Sequence, residues 1–269
     1  MRKQLKIYLP FLRNIFQRYL SYKANVLMYF LGDFMLLAVT YFLWKAIFAS
    51  SSGVLNGFTF HEMVIYLFIA MLSQALISTE VAYSISEEVR DGTIAINLLR
   101  PINYMSRMFF ETLGNNFYNL VVIVVPGMVI TLIMNYLYFG EIQWIRILLY
   151  LISMIFSILL NFIFNYTFGL ISFKNVNMWG LSVIMGAVIG MLSGMLLPLS
   201  FLPPALRQLT YLLPFASMIY TPTLIFVGKL QGSAMWQALL IQGVWILLLY
   251  LFALWLCGRL VRHLTIAGG

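Results

Sequence analysis

Residues 143–171 read QWIRILLYLISMIFSILLNFIFNYTFGLI. One charged side chain, Arg146, stands near the start of this run, and apolar and aromatic residues dominate the rest. A continuous apolar stretch of about 20 residues crosses a bilayer as a helix, because in hydrocarbon the backbone must satisfy its own hydrogen bonds. Five more stretches share this character, at roughly 24–49, 61–84, 115–139, 178–200 and 235–257. The spacing predicts six spans. The second is the most polar, with Gln74, Ser78 and Thr79. The third holds Pro126-Gly127, which predicts a bend or one loosened turn.

The composition agrees. Of 269 residues, 62% are hydrophobic and 9% are charged, and the mean hydropathy is +0.94. An ordinary soluble domain carries about 25% charged residues. With 16 Lys+Arg and 8 Asp+Glu, this chain has too few charges to cover a soluble surface. A soluble enzyme, a DNA-binding domain and a disordered chain are excluded. The net charge of +8 points to the cytoplasmic lipid face and not to nucleic acid. The single Cys257 forms no internal disulfide, and His61 and His263 lie far apart, so no metal or catalytic constellation is expected. Lys6, Arg13, Arg18 and Lys23 interrupt the apolar residues of the N-terminus, so no cleaved signal peptide is expected.

Basic residues near the span ends set the orientation. With the N-terminus inside, the cytoplasmic side holds Arg2, Lys3, Lys6, Arg13, Arg18, Lys23, Arg90, Arg100, Arg107, Lys174, Arg259 and Arg262. The outside holds only Lys45, Arg146, Arg207 and Lys229. An even number of spans then puts both termini in the cytoplasm. The expected fold is an all-α polytopic membrane protein of six transmembrane helices. Residues 1–23 form a cytoplasmic interfacial helix, 24–257 the transmembrane domain and 258–269 a cytoplasmic tail. In the first of these, Leu5, Tyr8, Leu9, Leu12, Ile15, Phe16 and Tyr19 share one face and basic residues the other. Pro10 is expected to bend it.

Two non-spanning stretches are long enough to do work. Residues 84–114 are cytoplasmic and gather Glu87, Glu88, Arg90 and Asp91. Ser84 with Glu87 suggests a capping box, Gly92 a helix stop, and Pro101 the end of the apolar run 94–99. A short charged helix with an apolar shoulder suits docking onto another protein. A solvated loop carrying positive-inside charge explains Arg100 and Arg107, but not three acids beside Arg90. Residues 199–234 are extracytoplasmic yet apolar, and prolines cut them into pieces too short to span. Short re-entrant helices fit, as an exit gate or as a passive cap. Within the spans, Ser182, Gly186, Gly190 and Gly194 recur every four residues on the fifth, for close packing or for sliding. Asn161 and Asn165 stack on the fourth, lining a pathway or bonding a neighbouring helix. Asp33 and Glu80 are membrane carboxylates and hence functional candidates, with a structural pairing to Lys23 or Arg18 as the alternative for Asp33.

The segment Glu87-Glu88-Val89-Arg90-Asp91-Gly92-Thr93, followed by Leu98-Leu99-Arg100-Pro101-Ile102-Asn103, resembles the membrane subunit of an ABC-2-type transporter, in its stand-alone six-span form. The resemblance implies a coupling helix that enters a groove of a separate ATPase. Glu87, Glu88, Arg90, Asp91, Gly92 and Thr93 would make or border that contact, with Arg100 and Pro101 fixing the return into span three. It implies two copies of the ATPase, which would carry ATP and Mg, and a second permease, identical or similar, facing this one. It also implies a bacterial inner membrane and an exporter of an amphipathic small molecule, drug, antibiotic peptide or lipid. The chain has no GxxxxGK[ST] and no cofactor site of its own, so it is expected not to be an enzyme. The alternatives are an ion-driven secondary transporter, disfavoured by the lack of matching halves, a non-transporting assembly or sensor subunit, and an integral membrane enzyme.

Overall fold

The computed structural model describes residues 2–21, 23–51, 53–174 and 178–260, and of residues 2–6, 19–21, 23–27, 29, 30, 33 and 179 the backbone alone. The side chains of Asp33 and Lys23, and the tail residues Arg262 and His263, therefore lie outside the described set. The chain is nearly all helical. In order come α1 (Arg2–Ser21), α2 (Lys23–Ala49), a two-residue hairpin of β1 (Val54–Leu55) and β2 (Phe58–Thr59), α3 (Phe60–Ile77), α4 (Val81–Arg90), α5 (Thr93–Leu99), α6 (Tyr104–Asn119), α7 (Val125–Phe139), α8 (Trp144–Gly169), α9 (Trp179–Leu192), α10 (Pro204–Tyr211), α11 (Tyr220–Val227) and α12 (Gly232–Leu260).

Among the described residues, four helical segments are long and apolar enough to cross a membrane: 60–90, 104–139, 144–173 and 232–260. Shorter apolar helices run over 34–49 and 180–192. The segment 104–139 is 36 residues long, about 54 Å at about 1.5 Å per residue. A hydrocarbon core is about 30 Å thick, so this helix extends well beyond it, and its charged first turns (Arg107, Glu111) form the protruding end.

α8 is the spine. It packs along α12, α11 and α4, while α3 packs on α11 and α7. The large core joins Tyr66, Ile69, Tyr150, Met154, Leu160, Met218 and Ile219. A second cluster lies around α4 and the ends of α8 and α12, with Ile85, Ile94, Met108, Phe162 and Leu170 at its centre. A buried polar network sits between α8, α12 and the turn after α10. The Gln242 side chain donates to the Ser217 carbonyl (2.7 Å) and to Ser157 Oγ (3.2 Å), and accepts from Ser153 Oγ (2.9 Å). In an apolar bundle such amide bonds tie helices together.

The amphipathic α1 runs through Pro10 and lays its apolar face on α6. The Tyr8 ring stacks on Phe110 at 5.2 Å, Phe16 packs on Phe117 at 5.4 Å, and the backbone N–H of Asn103 donates to Tyr8 Oη at 3.0 Å. At Gly114 the two backbones meet so closely that a Cβ would stand 2.6 Å from the Leu12 carbonyl oxygen.

Several expectations need correction. The second expected span is not one helix, since α3 stops at Ile77 and α4 begins at Val81. Ser84 therefore lies inside α4, its N–H bonded to the Glu80 carbonyl (2.9 Å), and makes no capping box with Glu87. A full capping box forms instead at Thr59 and Glu62, where α3 starts. The fifth expected span is a helix of 14 residues, about 21 Å, which ends at Leu192. Gly194 is not on its face. It takes φ +79° beyond the helix end, where a Cβ would press on Tyr66 and Tyr220. The loosened turn expected at Pro126-Gly127 is present as a π-helical turn over Leu120–Val124, in which the Val125 N–H reaches back to the Leu120 carbonyl. Proline has no N–H to close the ordinary ladder, and the widened turn absorbs that loss.

Candidate functional site

Two regions gather the residues singled out from the sequence. The first is the pair α4–α5. α4 is amphipathic at helical spacing: Val81, Ile85 and Val89 are buried, while Tyr83, Glu87 and Arg90 are exposed. Gly92, at φ +73°, turns the chain into α5. There Ile94 is fully buried, whereas Ile96 and Leu99 are 62% and 85% exposed. Thr93 Oγ1 donates to the Glu88 carbonyl, bracing the turn at 3.4 Å. Arg90 holds Asp91 at 3.2 Å and Glu87 at 3.5 Å, all three on the surface. Arg100 and Pro101 are exposed just beyond α5. The outer face of the hairpin is thus a small charged rim beside two apolar side chains in the open.

Glu88 differs from its neighbours. It turns inward, accepts from Tyr104 Oη at 2.8 Å and pairs with Arg107 Nη2 at 2.5 Å. Arg107 also pairs with Glu111 at 3.2 Å. The Arg107 side chain is 7% exposed and that of Glu88 17%. Burial pushes the Glu111 carboxyl above its usual range, with Arg107 opposing. Burial and the Glu88 charge push the Tyr104 hydroxyl up in the same way. Glu88 therefore fastens α4 to α6. Of the acids expected to meet a partner, only Glu87 and Asp91 face outward. Arg107 and Glu111 stand four residues apart on one helix face, a spacing that suits an ion pair and that was not read as an anchor from the sequence.

The second region is a groove with a cavity of about 340 Å³, walled by α3, α4, α8 and α9. It brings together Glu80, Asn161, Asn165, Gly186 and Gly190, with Ser182. Gly194 lies outside it. Among the described residues, no atom beyond their own helix comes within 4 Å of where a Cβ on Gly186 or Gly190 would stand, so this face of α9 is open.

The break between α3 and α4 forms one wall of this groove and was not read from the sequence. An interrupted helix frees carbonyls that hydrocarbon cannot satisfy. Three asparagines from other helices take them up. Asn119 Nδ2 donates to the Ala75 carbonyl (2.9 Å), Asn115 Nδ2 to that of Ser78 (2.9 Å), and Asn161 Nδ2 to that of Ile77 (2.5 Å). Asn165 in turn donates to the Asn161 carbonyl at 2.9 Å and side-chain oxygen at 3.1 Å. Asn161 thus bonds a neighbouring helix, Asn165 bonds Asn161, and both side chains line the groove. Glu80, in the break itself, pairs with Arg18 of α1 at 3.7 Å. Among the described residues no group of histidine, cysteine or carboxylate side chains is placed to hold a metal.

Long apolar helices around a groove that carries Glu80, Asn161 and Asn165, with a charged helical hairpin beside it, are consistent with a polytopic membrane protein. A family model described as ABC-2 family transporter protein matches residues 34–268. The chain belongs to this family and is a permease of an ABC transporter. No curated protein matches it.

Proposed function

We propose that the chain is the membrane subunit of an ATP-driven exporter, coupled to a separate ATPase through α4–α5. The observation that carries this is the division of labour on α4. One face is locked to α6 and α8, while the other, with the adjoining α5, offers Glu87, Arg90, Asp91, Ile96 and Leu99 to solvent. Two copies of the ATPase, supplying ATP and Mg, would serve two permeases that face each other. The groove lined by Asn161, Asn165 and Glu80 is the pathway wall on this side. Its mixture of amide, hydroxyl, methionine and aromatic groups suits an amphipathic cargo moving outward. The charge bias of the span ends supports cytoplasmic termini in a bacterial inner membrane. Residues 199–231 supply the short outer helices, of which α11 is buried against α3 and α8.

The test is purification from native membranes in mild detergent. A soluble ATPase is expected to come with the chain. Leu99→Asp and the double exchange Glu87→Lys, Arg90→Glu are expected to shed it while the melting temperature stays unchanged. Repeated purification with no ATPase, or full transport by both variants, overturns the proposal.

A further inference from the structure

A second cavity, of about 150 Å³, lies at the opposite end of the bundle, between the end of α7, the start of α8, the start of α3 and the end of α11. It is too small for a drug-sized ligand, which fills about 300 Å³ or more. Two unmatched charges share it. Arg146, in the first turn of α8, has no acidic partner among the described residues. Its guanidinium lies flush on Gly228, so close that a Cβ there would overlap it, and Gly228 takes φ +82°. Glycine is needed at this point both for the backbone and for the approach of Arg146. Glu141, on the rim, accepts from the Gln143 amide at 2.8 Å and has no cationic partner among the described residues. The other carboxylate in the wall, Glu62, is already used: it caps α3 with Thr59 and pairs with Lys229 at 2.5 Å. The Asn135 amide also lines the cavity. Around the mouth stand exposed Tyr136, Leu137, Tyr138, Trp144, Ile145 and Leu148, the mixture of aromatic and aliphatic side chains found where headgroups meet acyl chains.

From this geometry we propose that the cavity is a headgroup site for a zwitterionic phospholipid carrying a primary ammonium, of the phosphatidylethanolamine class. The phosphate sits against Arg146 and the N–H groups at the start of α8, where the helix dipole also favours an anion. The ammonium sits against Glu141. Acyl chains run down the exposed side chains of α7 and α8. A phosphate alone would leave Glu141 facing it, and an ammonium alone would leave Arg146 facing that. One molecule bearing both charges satisfies both. The site stands on the membrane placement of these helix ends and not on ATPase coupling, so it survives or fails separately from the transport proposal.

The experiment is native mass spectrometry of the purified chain from nanodiscs of defined lipid, with retained lipid counted. The unaltered protein is expected to retain phosphatidylethanolamine at least fivefold over phosphatidylglycerol. Arg146→Gln is expected to lose retention of both. Glu141→Gln is expected to keep phosphatidylglycerol and lose the preference for the ethanolamine head. Soluble phosphoethanolamine and inorganic phosphate, added as competitors, separate a free phosphate site from a lipid site: a lipid site resists millimolar amounts of either. Equal retention of both lipids by the unaltered protein, displacement by inorganic phosphate, or unchanged retention in Arg146→Gln with the melting temperature preserved would overturn the assignment.

Discussion

Replacing Arg107 by Met is expected to cost more than replacing either of its acids, and the structure sets the order. Arg107 stands between two carboxylates, at 2.5 Å from Glu88 and 3.2 Å from Glu111. All three side chains are at most 22% exposed. Removing the guanidinium leaves two like charges facing each other in a shielded site. Breaking a buried pair in this way costs about 3–5 kcal/mol. Glu88→Gln keeps a polar group against Tyr104 and leaves Arg107 paired with Glu111, so its cost is that of a charged hydrogen bond, about 1.5–3 kcal/mol. Glu111→Gln is the mildest. Its carboxyl is held above the usual value of 4.5 chiefly by burial, so the folded state binds that proton more tightly than the unfolded one. The stabilisation from proton binding is therefore present at low pH and lost as pH rises through the window from the unfolded to the raised folded value. Glu111→Gln removes that slope. The assay is thermal unfolding in detergent across that window, followed by ATPase stimulation in the reconstituted complex. The expected ranking is Arg107→Met, then Glu88→Gln, then Glu111→Gln, with Glu88→Gln/Arg107→Met milder than the sum of its parts. Equal melting temperatures for Arg107→Met and the parent would refute the anchor.

Other perturbations test the bundle itself. Asn119→Leu and Asn161→Leu each strip a carbonyl of the α3–α4 break of its donor and are expected to cost about 1–2 kcal/mol in a membrane setting, read as lower melting temperatures; Asn135→Leu, which makes none of these bonds, serves as the control. Gln242→Leu removes the amide that ties α12 to Ser157 and Ser217, so limited proteolysis within 199–231 is expected to accelerate. Gly127→Val is expected to disrupt the packing of α7 on α3, because a Cβ at Gly127 overlaps the end of Leu72. Adding Leu72→Ala should restore part of the expression level, and no rescue would place the fault elsewhere.

Much of the architecture follows from local properties. Apolar runs longer than a bilayer need become helices wherever they sit, since the backbone has no other partner. That is why the stretches underlying α2, α8 and α12 were legible at nearly their observed bounds, and why the third expected span was legible at its end but not at its start. Pro126 lacks an N–H in any context, so the loosened turn ahead of it was legible too. Gly92 ended α4 as expected, because a left-handed residue there carries no Cβ penalty. The interruption at 78–80 was not legible. Ser, Thr and Glu tolerate a helix, and only donors from elsewhere make a break in an apolar environment tolerable. Those donors, Asn115, Asn119 and Asn161, come from α6 and α8, 37 to 84 residues away in sequence.

The same contrast runs through the charges. The sequence by itself determined that the few acids cluster at 87–91 and that the chain is a largely helical membrane protein, because composition and period act residue by residue, while the ABC-2 type rested on a resemblance of the motifs at 87–93 and 98–103. It did not distinguish Glu88 from Glu87. Adjacent residues on a helix point about 100° apart, and only the docking of α6 decided which of the two is buried against Arg107 and which stays in solvent. In the same way, only tertiary packing gathered Glu80, Asn161, Asn165, Gly186 and Gly190 on one groove and left Gly194 out. It also placed Arg146 and Glu141, without ion-pair partners among the described residues, in a cavity closed by α3 and α11, which are remote from them in sequence.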